Sequence, residues 1–187
     1  MGINLFKSYS SRNKRIITIA IFFILGIIAT SIGAMQTLTQ QEATDINNEL
    51  DQLRSNPTIQ GIFGNNLFIC LLMFIPVFGW IFGFIVLYNN GVVMVAQSMT
   101  SAAHGVSPLA LFFAYFLFPF TWLEFTSFSV GEAESFWLML RGVQRLTNKT
   151  ISFKRELRNL SSFITLVTLV LFASAIIEIA LIMAFGG

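Results

Sequence analysis

Long apolar runs separated by short polar stretches recur along the chain. The first covers residues 16–35, which contain no charged side chain. A helix of that length rises about 30 Å, the thickness of a bilayer's hydrocarbon core. Further apolar runs cover residues 67–88, 91–103, 109–140 and 161–185. The pattern predicts an all-α fold, a multi-pass helical membrane bundle of about five spans, in which residues 1–187 form a single membrane domain.

Proline interrupts two of these runs. Pro76 falls inside the second run, and we expect a break there because proline removes a backbone hydrogen bond and clashes with the preceding turn. Pro119 divides residues 109–140, a run too long for one untilted span. We predict a broken helix there, or a re-entrant half followed by a span. Asn89-Asn90-Gly91 carries the signal of a tight turn between the second and third runs.

The polar segment 36–60 lies between the first two runs and holds four of the nine acidic residues. Apolar side chains recur in it at spacings of three and four, at Ala43, Ile46, Leu50 and Leu53. The spacing predicts a short extracytoplasmic amphipathic helix that ends at Asn56-Pro57. Since its net charge is negative, anionic lipid would not attract it. We expect it to pack on the protein's own bundle or, alternatively, on a partner helix.

Composition and charge narrow the class of protein. Hydrophobic residues make up 55% of the chain and charged residues only 11%, whereas a soluble domain carries about 25% charged residues. A soluble globular protein is thereby excluded. Ten of the eleven Lys and Arg residues lie in two blocks, at 7–15 and 141–158. The positive-inside rule places both blocks in the cytoplasm, so we expect a cell-membrane protein with a cytoplasmic N-terminus and an extracytoplasmic C-terminus.

Carboxylates within apolar runs are the most informative polar groups. Such groups are rare in membrane spans, where they face a bundle interior or a wet cavity. On a helical wheel, the polar residues after Pro119 share one face, with Trp122, Val130, Ala133 and Trp137 on the opposite, lipid-facing side. We predict an intramembrane polar face for helix association, or for an ion path, comprising Thr121, Glu124, Ser127, Glu132, Glu134 and Glu178.

Small residues mark the expected helix contacts. Gly26, Thr30 and Ala34 form a stripe on the first span, and Gly79 and Gly83 form a G-x-x-x-G pair, both of which permit close helix approach. Motifs for catalysis, metal binding or phosphate binding are lacking. His104 is the one histidine and has no metal-ligand spacing around it, and no catalytic triad or phosphate-binding loop is present. We therefore expect no enzymatic activity, no cofactor and no bound metal.

Several short motifs share their spacing with a known family. They are Phe63-Gly64-Asn65-Asn66-Leu67, Gly79, Gly83, Leu87 and Asn90-Gly91. Pro119 and Glu124 also keep the spacing of that family's Pro-His-Gly-x-x-Glu stretch, although its His and Gly are replaced here. Over about residues 61–134 the chain resembles the stage II sporulation protein M family of integral membrane proteins.

The resemblance implies an all-helical membrane fold without known enzymatic chemistry. The sporulation member is similar to a scaffold that works with cell-wall hydrolases as partners. On this chain the resemblance marks a helix-packing and turn motif, which comprises Asn65, Asn66, Gly79, Gly83, Asn90, Gly91 and Pro119.

Two functions remain open from the sequence. The first is a non-catalytic membrane scaffold or accessory subunit of a larger complex, for example a multi-subunit membrane oxidase or monooxygenase. Its partners would be other membrane subunits, through the spans and the 36–60 helix, together with lipid or further copies of the chain. The basic blocks lack interleaved aromatic residues, so no nucleic-acid partner is expected. The alternative is a small oligomeric transporter or channel that uses the intramembrane carboxylate face.

Overall fold

The computed structural model describes residues 11–54, 57–100, 105–146 and 153–185. Within these ranges it contains seven α-helices and no strand, which confirms the predicted all-helical fold. The helices are α1 (Ser11–Gly33), α2 (Gln40–Arg54), α3 (Ile59–Met73), α4 (Phe78–Thr100), α5 (Pro108–Tyr115), α6 (Pro119–Leu146) and α7 (Phe153–Phe185).

Three of the described helices, α1, α4 and α7, are long and apolar enough to cross a membrane by length and composition. The bent pair formed by α5 and α6 passes the same test as one unit. Helix α3 is apolar but shorter, with 15 residues. The structure therefore confirms a multi-pass membrane bundle, with a number of spans roughly as predicted.

Helix α6 lies at the centre of the bundle. It packs against α1, α3, α4 and α7. The prediction that one side of this helix faces lipid is therefore wrong for the middle of the helix. Ala133 is fully buried there, and Val130 is 6% exposed. Trp122, near the start of the helix, does remain 49% exposed. Because other helices surround α6, residues 127–135 are buried and lipid cannot contact them.

The break at Pro76 is a reversal of the chain rather than a kink within a span. Helix α3 contacts α6 in parallel order, since Asn66 lies beside Glu124 and Ile75 beside Ser135. Helix α4 contacts α6 in the opposite order, with Trp80 at Ser135 and Gly83 further along at Glu132. Helices α3 and α4 thus form an antiparallel hairpin. The predicted single span over 67–88 is corrected accordingly.

The turn of this hairpin covers residues 74–77. Pro76 cannot donate a backbone hydrogen bond, and Val77 adopts a φ of 70°, in the left-handed region that ends a right-handed helix. The amide of Gly79 donates to the carbonyl of Ile75 at 2.7 Å and so begins α4.

The tight turn predicted at Asn89-Asn90-Gly91 is absent, because α4 continues through these residues without a break. Gly91 serves a contact instead. A Cβ atom at this position would overlap the backbone of Thr30 on α1 and of Ala34 just after its end, so only glycine lets the two helices approach so closely. A tight turn and a close helix contact both favour glycine. The sequence pattern alone therefore placed the end of the second span wrongly.

The predicted small-residue stripe of α1 lies on this same contact. Thr30 is fully buried and Ala34 is 4% exposed. A Cβ at Gly26 would lie 2.8 Å from Cδ1 of Leu87. Helix α1 therefore packs closely along α4 over most of its length.

The predicted break at Pro119 is present, and α5 and α6 are inclined by 91°. Proline suits the first position of α6, where the missing N–H would have no helical partner. Two side chains of α6 then cap carbonyls freed at the end of α5. Oγ1 of Thr121 donates to the carbonyl of Tyr115 at 2.7 Å, and Nε1 of Trp122 donates to the carbonyl of Phe116 at 2.7 Å.

Helix α2 is the predicted amphipathic helix, and it packs on the bundle. Ala43 is fully buried, and Nδ2 of Asn47 donates to the carbonyl of Ala96 on α4 at 2.8 Å. Its first turn is a capping box. The amide of Thr39 donates to Glu42 at 2.8 Å, and the amide of Glu42 donates back to the Thr39 hydroxyl at 3.3 Å. The amide and the hydroxyl of Thr39 both donate to the Glu42 carboxylate, and these two hydrogen bonds lower the pKa of Glu42 from its ordinary value.

Candidate functional site

An open cavity of about 1110 Å³ lies among α3, α4, α6 and α7. We call it the carboxylate cavity. Its polar lining includes two carboxylates and three amides, contributed by Glu124, Glu178, Asn65, Asn66 and Asn90. Four separate helices supply these five side chains, so the cavity exists only in the folded bundle.

Glu124 is held in place from two neighbouring helices. Its Oε1 accepts a hydrogen bond from Nδ2 of Asn66 on α3 at 2.7 Å. The same oxygen accepts from Oγ of Ser174 on α7 at 3.4 Å. Ser174 is fully buried and also donates to the carbonyl of Phe120 at 3.1 Å. The carboxylate therefore joins α3, α6 and α7 at one point.

The carboxylate cavity has the chemistry of a site for a cation or a proton. Two ionised carboxylates that line one space repel each other, and a cation between them relieves that repulsion. Amide oxygens are further acceptors of the kind that cations use. No group of three or more His, Cys, Asp or Glu residues that could hold a metal ion occurs in the described parts of the chain, and His104 lies outside them.

A second polar cluster lies at the end of the bundle where α1 and α7 begin. Arg15 of α1 pairs with Glu134 of α6 and with Glu156 of α7. Nε of Arg141 lies 3.7 Å from Oε1 of Glu156, which extends the cluster to a second cation. Arg15 is only 6% exposed and Glu134 only 1% exposed. We call this end of the bundle the basic end.

Aromatic rings surround the cations of the basic end. The Arg15 guanidinium lies 5.7 Å from the ring centre of Trp137 and 6.0 Å from that of Phe163. The guanidinium of Arg141 lies 5.5 Å from the Trp137 ring. Cation–π contacts of this kind add to the ion pairs, since each ring face attracts positive charge.

Glu132 differs from the other carboxylates. It is fully buried, and neither of its oxygens has a hydrogen-bond partner among the described residues. It packs against Gly83 of α4, where a Cβ atom would overlap Oε1 of Glu132. One turn further along α6, the Ser135 hydroxyl donates to the carbonyl of Ile75 at 2.6 Å and accepts from the amide of Trp80 at 3.3 Å.

The G-x-x-x-G pair of α4 therefore faces α6 of the same chain. A Cβ at Gly79 would overlap the carbonyl of Met73 and come within 2.9 Å of the Ser135 hydroxyl oxygen. Together with Gly83, this glycine lets the hairpin fold closely onto the central helix.

The predicted polar face is divided among different environments. Glu124 and Glu178 line the carboxylate cavity, Glu134 lies in the ion cluster, and Glu132 is enclosed between helices. The hydroxyl of Ser127 donates within its own helix, to the carbonyl of Leu123 at 2.8 Å.

Sequence reasoning missed the partners of these carboxylates. Arg15 and Glu156 lie in the polar flanks of spans, where such residues are ordinarily wet. Ser174 lies within the apolar run 161–185, where the pattern predicts no polar contact. No local pattern marks these contacts, because Arg15 lies 119 positions from Glu134 and 141 from Glu156, and Ser174 lies 50 positions from Glu124.

The model of a family described as stage II sporulation protein M matches residues 17–181, which extend from the first turns of α1 into the last turns of α7. No curated protein and no solved structure matches the chain.

Proposed function

The chain belongs to the stage II sporulation protein M family, and from that premise we propose that it is a non-catalytic membrane scaffold, an accessory subunit that holds a partner at the membrane. The observation that supports this is the placement of α2. Its buried side is held on α4 by Ala43 and Asn47, and its other side is exposed. That side is acidic, since Glu42, Asp45, Glu49 and Asp51 are all exposed.

A scaffold needs a rigid body that presents such a surface. Here α1, α6 and α7 are joined by the buried ions of the basic end, and α3 joins α6 and α7 at Glu124. The binding partner would be another membrane subunit or an extracytoplasmic protein with a basic surface, because charge complementarity steers and orients association.

Charge reversal on α2 tests this proposal. The Asp45→Lys/Glu49→Lys variant and the wild type would be extracted gently from native membranes into nanodiscs, sized, and analysed by mass spectrometry. We expect the wild type to co-purify with a partner in fixed stoichiometry, and the variant to lose it while staying monodisperse. Gln41→Lys, at an exposed position of the same helix, changes the charge by less and serves as control. A wild type that purifies alone, or a variant that keeps its partner, would contradict the proposal.

The orientation belongs to the same proposal. We place the basic end in the cytoplasm and α2 outside, following the positive-inside rule. Single cysteines at Thr44 on α2 and at Gly142 on α6, both exposed, would be labelled with a membrane-impermeant maleimide in intact cells. Native Cys70 is fully buried and gives little background. Labelling of Thr44→Cys alone supports the orientation, and labelling of Gly142→Cys alone reverses it.

The carboxylate cavity favours a second candidate, a small transporter or channel for cations or protons. Glu124 and Glu178 would bind the ion within the bundle. The test is cation and proton flux into proteoliposomes, with Glu124→Gln as the variant and Asp51→Asn on exposed α2 as the control. Flux that the Glu124 change abolishes and the control change leaves intact would support transport. A wild type without flux would exclude it.

A further inference from the structure

A second cavity, of about 700 Å³, lies between α1, α4 and α6 at the basic end. We call it the groove. Its walls are apolar and largely aromatic, and the ring of Phe22 contacts those of Phe84 and Phe136 at centre-to-centre distances of 5.7 and 5.8 Å. Trp80 lies against two of these rings, at 6.3 and 6.4 Å.

Most of the polar side chains that line the groove lie towards the basic end of the bundle. They include Lys14 of α1 together with Arg141 and Gln144 of α6, while no Asp or Glu belongs to its lining. Arg141 is oriented there by its neighbours, because its Nη1 donates to Oε1 of Gln144 at 3.0 Å and its guanidinium lies over Trp137. Lys14 is half-buried and forms no ion pair with any described residue.

The groove also has the length of one leaflet. Its lining extends along α1 from Lys14 to Leu25, which at the helical rise corresponds to about 16 Å. Half of a bilayer's hydrocarbon core is about 15 Å thick. Of the two tryptophans in the lining, Trp137 lies against the Arg141 guanidinium, and amphipathic rings of this kind are enriched at the membrane interface.

We propose that the groove binds one anionic glycerophospholipid. Its phosphate lies beside Lys14 and Arg141, and one acyl chain extends along Phe22 and Phe84 towards Leu25. The cations lie at one end of the groove and its apolar wall forms the rest, as the headgroup and acyl chain of a lipid require. A partner helix would need an acidic side chain at the depth of Lys14 to pair with that cation. The proposal does not depend on the scaffold function.

The test measures lipid retention on the full chain. Wild type and variants would be reconstituted in nanodiscs of equal parts phosphatidylcholine and phosphatidylglycerol, then released and analysed by native mass spectrometry. We expect the wild type to retain one phosphatidylglycerol in preference to phosphatidylcholine. Lys14→Gln should weaken that retention about fivefold, the effect of one cation near an anionic headgroup. Lys154→Gln, an exposed cation at the start of α7, should leave retention unchanged.

A bulky substitution in the wall of the groove tests the acyl-chain contact separately from the contact with the charged headgroup. Ile21→Trp fills the groove from an exposed position and should abolish retention of both lipids while the bundle stays folded by circular dichroism. Equal retention of both lipids by the wild type, or equal losses in Lys14→Gln and Lys154→Gln, would overturn the headgroup assignment. A crosslink between Ile21→Cys residues of two copies would show a second protein chain in the groove and would overturn the proposal as a whole.

Discussion

Replacing Arg15 with leucine should be the most damaging single change at the basic end. Arg15 pairs with both Glu134 and Glu156, and both Arg15 and Glu134 are almost completely buried. Without Arg15, Glu134 has no cation among the described residues, whereas Glu156 still has Arg141 at 3.7 Å. Removing one partner of a buried ion pair costs about 3–5 kcal/mol, because the remaining charge stays away from water without compensation.

The double variant Arg15→Leu/Glu134→Leu should recover most of that loss. Both buried charges are then gone, and apolar side chains in place of a buried pair are often neutral in stability. Glu134→Leu alone should cost less than Arg15→Leu, since Arg15 keeps Glu156 as a partner. A double-mutant cycle should therefore show a coupling of about 2 kcal/mol or more between the two sites.

The assay is reversible unfolding in mixed micelles, with the free energy of unfolding obtained by extrapolation to zero denaturing detergent. Lys154→Leu is the matched control, because it removes an exposed cation at the same end of the bundle. An effect of Arg15→Leu no larger than that of Lys154→Leu would refute the reasoning. Strictly additive effects of the two single changes would refute it as well, since they would mean that the two side chains do not interact.

Two further predictions concern α4 and α2. Gly91→Ala should destabilise the bundle by about 1–3 kcal/mol in the same assay, because its methyl group overlaps the α1 backbone at Thr30. Gly64→Ala, where nothing lies within 4 Å, is the control, and equal effects would contradict the packing argument. For Glu42, the lowered pKa means that its stabilisation of α2 is fully present above the ordinary value of 4.5 and is lost as the pH falls through the lowered pKa. Hydrogen exchange of the α2 amides between pH 6 and pH 3 should show this loss, and Glu42→Gln, which carries no titrating carboxyl, should remove the pH dependence; an unchanged profile would contradict the capping box.

Local signals in the sequence identified those features that depend on neighbouring residues along the chain. Pro119 predicts its break because a missing N–H and a fixed φ act on the adjacent turn, wherever the rest of the chain lies. The spacing of Ala43 and Leu50 likewise predicts α2, since a 3.6-residue period is a property of one helix. The Asn90-Gly91 signal misled because glycine serves tight turns and close helix contacts alike, and only the position of α1 distinguishes the two.

The amino-acid sequence specifies an all-helical membrane bundle with carboxylates inside it, because apolar runs of bilayer length and the scarcity of charge permit little else. It could not determine how those carboxylates are used. Glu124, Glu132 and Glu134 lie within eleven positions of one another on the same helix, yet one lines a cavity, one is enclosed against Gly83 and one pairs with Arg15. The packing of the helices sets these different uses, because the energy of a buried charge depends on which groups other helices place within a few ångströms of it.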